Sequence, residues 1–521
     1  MFSQTSFQNL NMNNWHDNET TTNLIIATLA ISAITWCAWL FFLKPKAHSR
    51  PLPPGPPGLP ILGNLLSLDP ELHTYLAGLA RTHGPVFKLR LGSKLAIVLT
   101  SSSMARQVLK DQDTIFANRD VTAAARAGFY GGSDIIWSPY GPEWRMLRKV
   151  CVLKMLNTTT LDSLHHIRRN EVRKTIVYLR NRVGSPVKVG EHMISTGLNV
   201  MTNMMWGGAV EGAEMENWAA EFNALVAEFA ELLAQPNVSD LFPGLARFDL
   251  QGVEKRMRVL VSRLDGVFEK MIGERVKMKA ENHQSSDFLQ FLLDLKEERD
   301  PKMQLTNDHV KGLLLDMIMA GSETSSTTIE FTMAEMMKKP EVMKRVQEEL
   351  EGVVGKDNMV EESHIHKLPY LQAVMKETLR LHPVAPLLVP HSPSETTTVG
   401  GYTIPKGSQV FVNVWAIQRD PSNWEKPLEF DPTRFLDAKW EYSGSDFNYL
   451  PFGSGRRICA GITMAEKTVL CFIATLVHLF DWTVPQGEEL DISEKFSLVI
   501  RMKTPLVAIP TARLSNPDLY K

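Results

Sequence analysis

Cys459 stands in the run Phe452-Gly453-Ser454-Gly455-Arg456-Arg457-Ile458-Cys459-Ala460-Gly461. Glycines on either side let the backbone bend tightly around one sulfur. Arg456 and Arg457 stand just before it, and positive charge favours an ionised thiol. A thiolate with no second thiol nearby suits a single soft metal centre, not a disulfide. A buried free cysteine after a glycine turn is the alternative. The stretch Ala320-Gly321-Ser322-Glu323-Thr324-Ser325-Ser326-Thr327-Thr328 is the second unusual feature. It makes a poor helix interior. Glycine and hydroxyl residues each cost a few tenths to about 1 kcal/mol relative to alanine, and hydroxyls can bond back to the helix carbonyls and bend it. Rule-breaking inside an otherwise apolar helix points to a functional site; a hydroxyl-rich solvent face is the alternative. Glu377 and Arg380 place opposite charges three residues apart, where a helix makes them neighbours. On a surface such a pair contributes about 0.2–0.5 kcal/mol.

The elements that must position these residues are mostly helical. Residues 85–100 alternate like the two strands of a hairpin. Apolar residues at helical spacing then cover 140–155, 160–182, 214–234, 250–280, 285–298, 305–338, 340–354 and 367–381. Short strand-like runs return between 395 and 418, a helix is expected over 461–480, and Phe496–Ile509 reads as a strand pair. The expected fold is mostly α with small β-sheets. There is no internal repeat, and no domain boundary is needed after residue 60.

Composition narrows the function classes. The chain has 521 residues, 44% hydrophobic and 22% charged, with a net charge of −2. That balance gives no support to nucleic-acid binding. Cys37, Cys151, Cys459 and Cys471 are the only cysteines. They show no C-x-x-C spacing, which argues against a zinc site or a disulfide scaffold.

Leu24–Leu43 carries no charge, and twenty helical residues span about 30 Å, the thickness of a hydrocarbon core. Lys44, Lys46 and Arg50 follow, while residues 1–23 hold no Lys or Arg. The positive-inside rule then leaves the C-terminal bulk in the cytosol. A cleaved signal peptide fits less well, because its basic residues precede a shorter apolar run. The expected organisation is a short lumenal tail over 1–23, a transmembrane anchor over 24–43, a basic and proline-rich hinge over 44–60, and a catalytic domain over 61–521. Proline at the density of Pro51–Gly58 cannot continue a helix and stiffens the link.

The pattern F-x-x-G-x-R-x-C-x-G around Cys459 resembles the haem-binding loop of the cytochrome P450 family, in which a cysteine thiolate ligates haem. The resemblance continues along the chain. Ala320–Thr328 is similar to the family's A-G-x-D/E-T-T/S motif, Glu377 to Arg380 to its E-x-x-R helix, and Phe430-Asp431-Pro432-Thr433-Arg434-Phe435 to its P-E-R-F segment, with Thr433 in place of glutamate. Trp144-Arg145-Met146-Leu147-Arg148 matches its W-x-x-x-R helix, and Pro51–Gly58 resembles the hinge of its microsomal members.

The resemblance implies a cytochrome P450 fold, one haem b with Cys459 as the axial ligand to iron, and a loop completed by Phe452 and Gly461. It implies that Trp144, Arg148, His391 and Arg457 hold the haem propionates. Gly321 would open room beside the iron, Thr324 would hydrogen-bond dioxygen, and Glu323 would relay protons towards it. Glu377, Arg380 and Arg434 would form a structural triad behind the cysteine loop. The substrate wall would include Leu313, Asp316, Met317, Ala320, Val384, Leu388 and Phe496. All but Asp316 are apolar, and Asp316 is the one candidate anchor for a hydroxyl.

The implied activity is that of a plant microsomal monooxygenase in the endoplasmic reticulum membrane, single-pass, with its catalytic domain in the cytosol. Its electrons would come from NADPH through cytochrome P450 reductase, with cytochrome b5 as a further partner. Arg145, Lys149 and Arg456 would offer an acidic donor a basic patch; a solvated charged face is the alternative. The phrases Asp134–Trp144 and Thr504–Arg513 resemble a plant group acting on terpenoids, with some members acting on flavonoids. A sesquiterpene-sized substrate is expected from the apolar wall, and a flavonoid or other phenolic is the alternative. A reductase-independent haem-thiolate isomerase or dehydratase is the reading from a different class. Such relatives tend to lose the acid–alcohol pair that Glu323-Thr324 keeps.

Overall fold

The computed structural model describes residues 22–34, 36, 50–207, 213–281, 287–298, 304–437 and 440–521. Of the expected anchor, Leu24–Ile34, in an apolar helix that runs from Thr22 to Ile34, and Trp36 are described. The rest of the anchor, Lys44 and Lys46, and all of the expected lumenal tail but Thr22 and Asn23 lie outside the described residues. Met1–Pro51 with Leu59–Ile61 form one unit, and Leu52–Gly58 with Leu62–Lys521 form the other. Every candidate site residue belongs to the second unit.

Helices dominate that unit, and its largest sheet has five strands. Their order is Val86–Leu91, Lys94–Leu99, Gln409–Val412, His391–Ser392, Asn118–Arg119. The first two form the expected antiparallel hairpin, with Val86 opposite Leu99. Lys94–Leu99 then runs parallel to Gln409–Val412, and Arg119 lies opposite His391. Residues remote in sequence thus meet at one sheet edge.

The helix Asn307–Lys338 is the spine. It starts at a capping box, where the Thr306 hydroxyl accepts the His309 N–H and His309 Nδ1 accepts the Thr306 N–H, both at 3.1 Å. It ends where Lys339 turns the chain before Pro340 opens the next helix. Apolar residues bury most of its faces, so tertiary packing rather than propensity holds it.

The helix Val189–Trp206 crosses the spine and was not among the predicted elements. Gly190 and Gly197 weaken its local signal, because glycine lowers helix propensity. Those glycines are what the crossing needs. A Cβ on Gly197 would stand 2.9 Å from Ser326 Oγ, and one on Gly190 would stand 2.3 Å from the Glu330 carboxylate. Ser326 Oγ donates to the Met193 carbonyl at 2.8 Å across the same seam. The helix Leu72–His83 was also not predicted. The C-terminal strands differ from expectation too. Glu494–Lys495 pairs with Arg501–Met502, and Val507–Ala512 pairs with Val187–Lys188 and Phe480–Thr483. Phe496–Val499 is the connection between strands, not a strand.

Glu377 and Arg380 lie on the helix Pro369–Leu381 and are fully buried. Two hydrogen bonds of 2.7 and 2.8 Å join them. Arg380 Nη1 also donates to the Gln418 and Pro427 carbonyls. Glu377 Oε1 accepts the Asp431 N–H at 2.8 Å and has Arg434 Nε 3.5 Å away. The three residues meet in the core, where the surface value of such a pair does not apply. Removing one partner of a buried, hydrogen-bonded pair costs about 3–5 kcal/mol. Arg380→Leu should lose that much stability in denaturant unfolding, while Lys344→Leu, at an exposed helical pair, should change it by less than about 0.5 kcal/mol.

A second buried network ties the Glu494 strand to the core. Glu494 accepts from His73 at 2.9 Å, His382 at 2.6 Å and the Trp415 indole at 2.7 Å. His382 also reaches Glu335 at 2.9 Å. Burial pushes Glu494 up, but hydrogen bonds from His382 and His73 and the Arg419 charge outweigh it and hold the carboxyl well below its usual range. Burial pushes His382 down, and its hydrogen bonds to Glu335 and Glu494 outweigh that, so its pKa is raised. The carboxylate's stabilisation is present above its unfolded pKa of about 4.3 and is lost as pH falls. The imidazolium's is present below about 6.5 and is lost as pH rises through the raised folded value. Urea midpoints should therefore peak between about pH 4.3 and 6.5 for this network's share, and Glu494→Gln should flatten both flanks.

Candidate active site

A cavity of about 290 Å³ opens inside the second unit, and Cys459 lies on its wall. The loop that presents the sulfur is closed by the Cys459 N–H, which donates to the Phe452 carbonyl at 3.0 Å. Gly455 turns within it at φ +70°, and a Cβ there would stand 2.2 Å from the Leu109 carbonyl oxygen. The Gly461 N–H points at Cys459 Sγ from 3.3 Å, at the start of the helix Ile462–Leu479. Helix N-termini favour negative charge. Cys151 and Cys471 are buried, and burial pushes each thiol up to about 12.

The arginine that bears on the sulfur is not one of the two that precede it. Burial pushes the Cys459 thiol up, and the Gly461 N–H and the Arg148 charge oppose that. Arg456 instead pairs with Asp113 at 3.3 Å, and Arg457 turns to backbone carbonyls. A thiol that ligates a metal gives up its proton on binding.

Three guanidiniums line the same cavity. Arg457 donates to the carbonyls of Ala117, Ile135 and Ser138 at 2.7, 3.1 and 2.6 Å. Arg119 donates to Ile136 and Val389 at 3.2 and 2.5 Å, and Arg148 donates to the Ile458 carbonyl. Burial lowers all three, Arg457 to about 10. Among the described residues, no carboxylate lies within ion-pair distance of any of them. The Asp134 charge acts on Arg119 and Arg457 from further away; half-buried cations without an ion pair are costly, and two carboxylates from a ligand would offset that cost through charge-assisted hydrogen bonds. The donor set therefore fits haem, which brings two propionates to the arginines and an iron to the sulfur.

Arg119 was not among the predicted site residues. Its neighbours show no motif, and only the strand pairing with His391 brings it to the cavity. His391 lines the cavity, but its Nδ1–H donates to the Phe116 carbonyl at 2.8 Å. Burial first, then the charges of Arg119 and Arg457, lower its pKa to about 3. In that neutral form Nε2 carries no proton and offers a propionate no donor, so the expected hold requires a second proton. Trp144 gives its indole N–H to the Ile135 carbonyl at 3.0 Å and stacks under Arg457, 4.4 Å from the ring centre. It supports the arginine and does not line the cavity itself.

Phe452 and Gly461 lie on the cavity wall, as do Met317, Ala320, Thr324, Val384 and Leu388. The Thr324 hydroxyl donates to the Ala320 carbonyl at 2.6 Å. Glu323 is absent from the wall, and its carboxylate accepts from Arg501 Nε. The space beside Gly321 is taken by Met201 of the crossing helix, whose sulfur would stand 2.6 Å from an added Cβ. Gly321 itself lies on the cavity wall, and its missing side chain also admits Met201 from the neighbouring helix. Leu313 is fully buried in the core and Phe496 stacks on His73 at 5.6 Å, so neither lines the cavity. Asp316 does line it and is fully buried. Arg145, Lys149 and Arg456 are exposed.

A mostly helical fold that opens one cysteine and three carboxylate-free arginines to a shared cavity defines a haem-thiolate protein. The cytochrome P450 family model matches residues 53–509. The chain is 40% identical to a flavonoid 3'-monooxygenase of Crocosmia x crocosmiiflora over 506 residues, 95% of this chain and 98% of that one. It is equally identical, at 40%, to a geraniol 8-hydroxylase of Swertia mussotii over 493 residues, 94% of this chain and 99% of the relative. A zebra fish cytochrome P450 solved with progesterone superposes with a TM-score of 0.72 at 27% identity, covering 84% of this chain and 99% of that one.

The chain belongs to the cytochrome P450 family. It is a monooxygenase, an oxidoreductase that uses haem b with an axial cysteine thiolate, a redox partner and a small substrate.

Arg119→Leu and Arg457→Leu should each weaken haem retention by on the order of tenfold, the scale of one lost charge-assisted hydrogen bond. Haem transfer to apomyoglobin measures this. Arg145→Leu, on the exposed side of the Pro142–Val150 helix, should leave it unchanged.

Proposed function

We propose that this chain hydroxylates a small, largely apolar specialised metabolite of terpenoid type and sesquiterpene size. The observation that carries this reading is one cavity that holds the Cys459 sulfur and the Thr324 hydroxyl with apolar Met317, Ala320, Val384 and Leu388 on its wall. A flavonoid or other phenolic is the second reading, favoured by the flavonoid 3'-monooxygenases among the relatives.

In this proposal Cys459 is the thiolate ligand and Arg119, Arg148 and Arg457 hold the propionates. When bound, haem supplies the dioxygen and redox chemistry. One oxygen atom enters a substrate C–H bond as hydroxyl, and the other leaves as water with two electrons and two protons. Met317, Ala320, Val384 and Leu388 exclude water and orient the substrate. Thr324 holds a hydroxyl proton at the cavity wall. Glu323, the preceding residue, stands beside half-exposed Arg501 and delivers protons from the solvent side. Electrons come from NADPH through a reductase, with cytochrome b5 as a second donor. Exposed Arg145, Lys149 and Arg456 supply the basic face for that encounter.

The proposal places the protein in the endoplasmic reticulum membrane. Residues 24–43 are the single anchor behind a lumenal tail over 1–23, and the hinge over 44–60 leads to a cytosolic catalytic domain over 61–521.

Microsomes holding this chain and a plant reductase would be given NADPH with a sesquiterpene panel and, separately, a flavonoid panel. Hydroxylated sesquiterpene supports the first reading. Hydroxylated flavonoid alone replaces it with the second. Thr324→Ala should lower product formed per NADPH consumed by on the order of tenfold; unchanged coupling would remove Thr324 from proton delivery. Cys459→Ser should lose the thiolate absorption of the reduced carbon monoxide complex.

A further inference from the structure

Three consecutive residues of the cysteine loop are met from outside by one segment of chain. That segment runs from a π-helical turn over Gln107–Asp111 into the short helix Asp113–Phe116. Such turns are frequent at functional sites. Leu109 faces Gly455, where a Cβ would stand 2.2 Å from the Leu109 carbonyl oxygen. Asp113 accepts the Arg456 N–H, at 3.1 Å from Oδ1 and 3.2 Å from Oδ2. The Ala117 carbonyl accepts Arg457 Nε at 2.7 Å. Residues 109, 113 and 117 follow one another at about one helical turn, so each turn meets the next residue of the loop. The segment is itself tied down. The Gln112 amide donates to the Thr398 carbonyl at 2.8 Å, and the Gln107 side chain accepts the Gly400 N–H at 2.9 Å.

Asp113 holds Arg456 in two ways, by its backbone N–H and by its guanidinium, whose Nε stands 3.3 Å from Oδ2. The two are not equal. The Asp113 side chain is 22% exposed and that of Arg456 45%, and an ion pair so open to water is weak. A backbone N–H on an ionised acceptor is stronger. Burial pushes the Asp113 carboxyl up, and among the groups that oppose it the Arg456 N–H ranks ahead of the guanidinium charge. Gly455 turns at φ +70° just before this bond. A glycine corner is soft by itself, and the carboxylate fixes the residue that follows it. Three residues further on stands Cys459, whose N–H closes the loop on the Phe452 carbonyl.

We infer that Asp113 is a positioning residue for the metal ligand: by clasping the Arg456 backbone it holds the loop in the form that presents the Cys459 sulfur to the cavity. Asp113 itself is not on the cavity wall. The inference rests on the reading of Cys459 as the thiolate ligand. It also divides Arg456 between two tasks. The N–H belongs to the loop, while the exposed guanidinium is free to leave Asp113 for an acidic electron donor without loosening the sulfur.

The test uses the haem-loaded full chain and follows the thiolate absorption of the reduced carbon monoxide complex over time in dilute urea. Asp113→Leu accepts no N–H and should lose that absorption on the order of tenfold faster than the parent, the scale of one hydrogen bond to a charged group. Asp113→Asn, whose amide oxygen still accepts, should stay within about threefold. Arg456→Leu keeps the N–H and gives up only the ion pair, so it should also stay within about threefold. Circular dichroism on the same samples reports global unfolding, and in Asp113→Leu the absorption should be lost first. A rate for Asp113→Leu within about twofold of the parent's overturns the inference. So does a tenfold effect of Arg456→Leu, which would assign the hold to the ion pair, or equal loss in Asp113→Asn, which would assign it to charge or packing. Loss of the absorption only as the chain unfolds would assign it to stability and overturns the inference too. Hydrogen exchange on the parent needs no variant to fold: the Arg456 amide should be protected, and exchange at the rate of an open chain overturns the inference. Thiolate absorption retained by Cys459→Ser would instead overturn the ligand assignment on which the inference stands.

Discussion

Arg119, Arg148 and Arg457 converge half-buried on one cavity and donate their hydrogen bonds to backbone carbonyls. That charge imbalance is the constraint on which the site depends. A protein interior tolerates cations when anions meet them; among the described residues the Asp134 charge acts on Arg119 and Arg457, but no carboxylate forms an ion pair with any of the three. The polypeptide has therefore been assembled around charges it does not contain. The same logic holds for the sulfur. Desolvation raises the Cys459 thiol while the Gly461 N–H and the Arg148 charge lower it, and a thiol that binds a metal must lose its proton. Cofactor binding and completion of the electrostatics are one event, as in metal sites whose ligands must lose protons.

The spine helix meets a related difficulty with its hydroxyls. Ser322, Thr324, Thr328 and Thr332 each donate to a carbonyl four residues back, at 2.6 to 2.9 Å. These bonds satisfy the side chains inside an apolar core and keep the helix intact through a stretch of low propensity. The crossing helix then seats against them through Gly190 and Gly197. The cavity is bounded by this pair, because Met201 from one helix fills the space beside Gly321 on the other. Small residues on both helices set how closely the wall approaches, and Thr324 is positioned by that packing.

Behind the cysteine loop, the Glu377–Arg380 pair organises irregular chain. Arg380 collects carbonyls from residues 418, 427 and 429, and Glu377 takes the Asp431 N–H. Long stretches without regular hydrogen bonding need partners for their backbone groups. A buried ion pair with several donors and acceptors supplies them at one point. The Glu494 network does the same for the strand after residue 493, where His73, His382, Trp415 and Arg419 converge.

The local sequence carried the chemistry where one segment does the work. The cysteine loop needs glycine turns and one sulfur within ten residues, so its spacing was legible. The Glu377–Arg380 pair was legible for the same reason, since helical spacing alone makes them neighbours. The strongly periodic helices and the first hairpin were also readable, and both rest on short-range patterns. Tertiary structure decided what depends on residues far apart. Arg119 reaches the cavity only because its strand pairs with His391. Arg148, not the adjacent arginines, bears on the sulfur because a helix brings it there. The helix Val189–Trp206 was hidden by the glycines that its crossing requires. Glu323 turns to Arg501, a partner supplied by the C-terminal strands. Asp316 reads as a lone acid on an apolar face until folding buries it fully and brings the Ile135 N–H to its Oδ2 and Asp134 beside it. Spacing along a chain determines which groups can be neighbours within a segment. Which charges are left unpaired is a property of the packed whole, because burial and partners are settled only when distant segments meet.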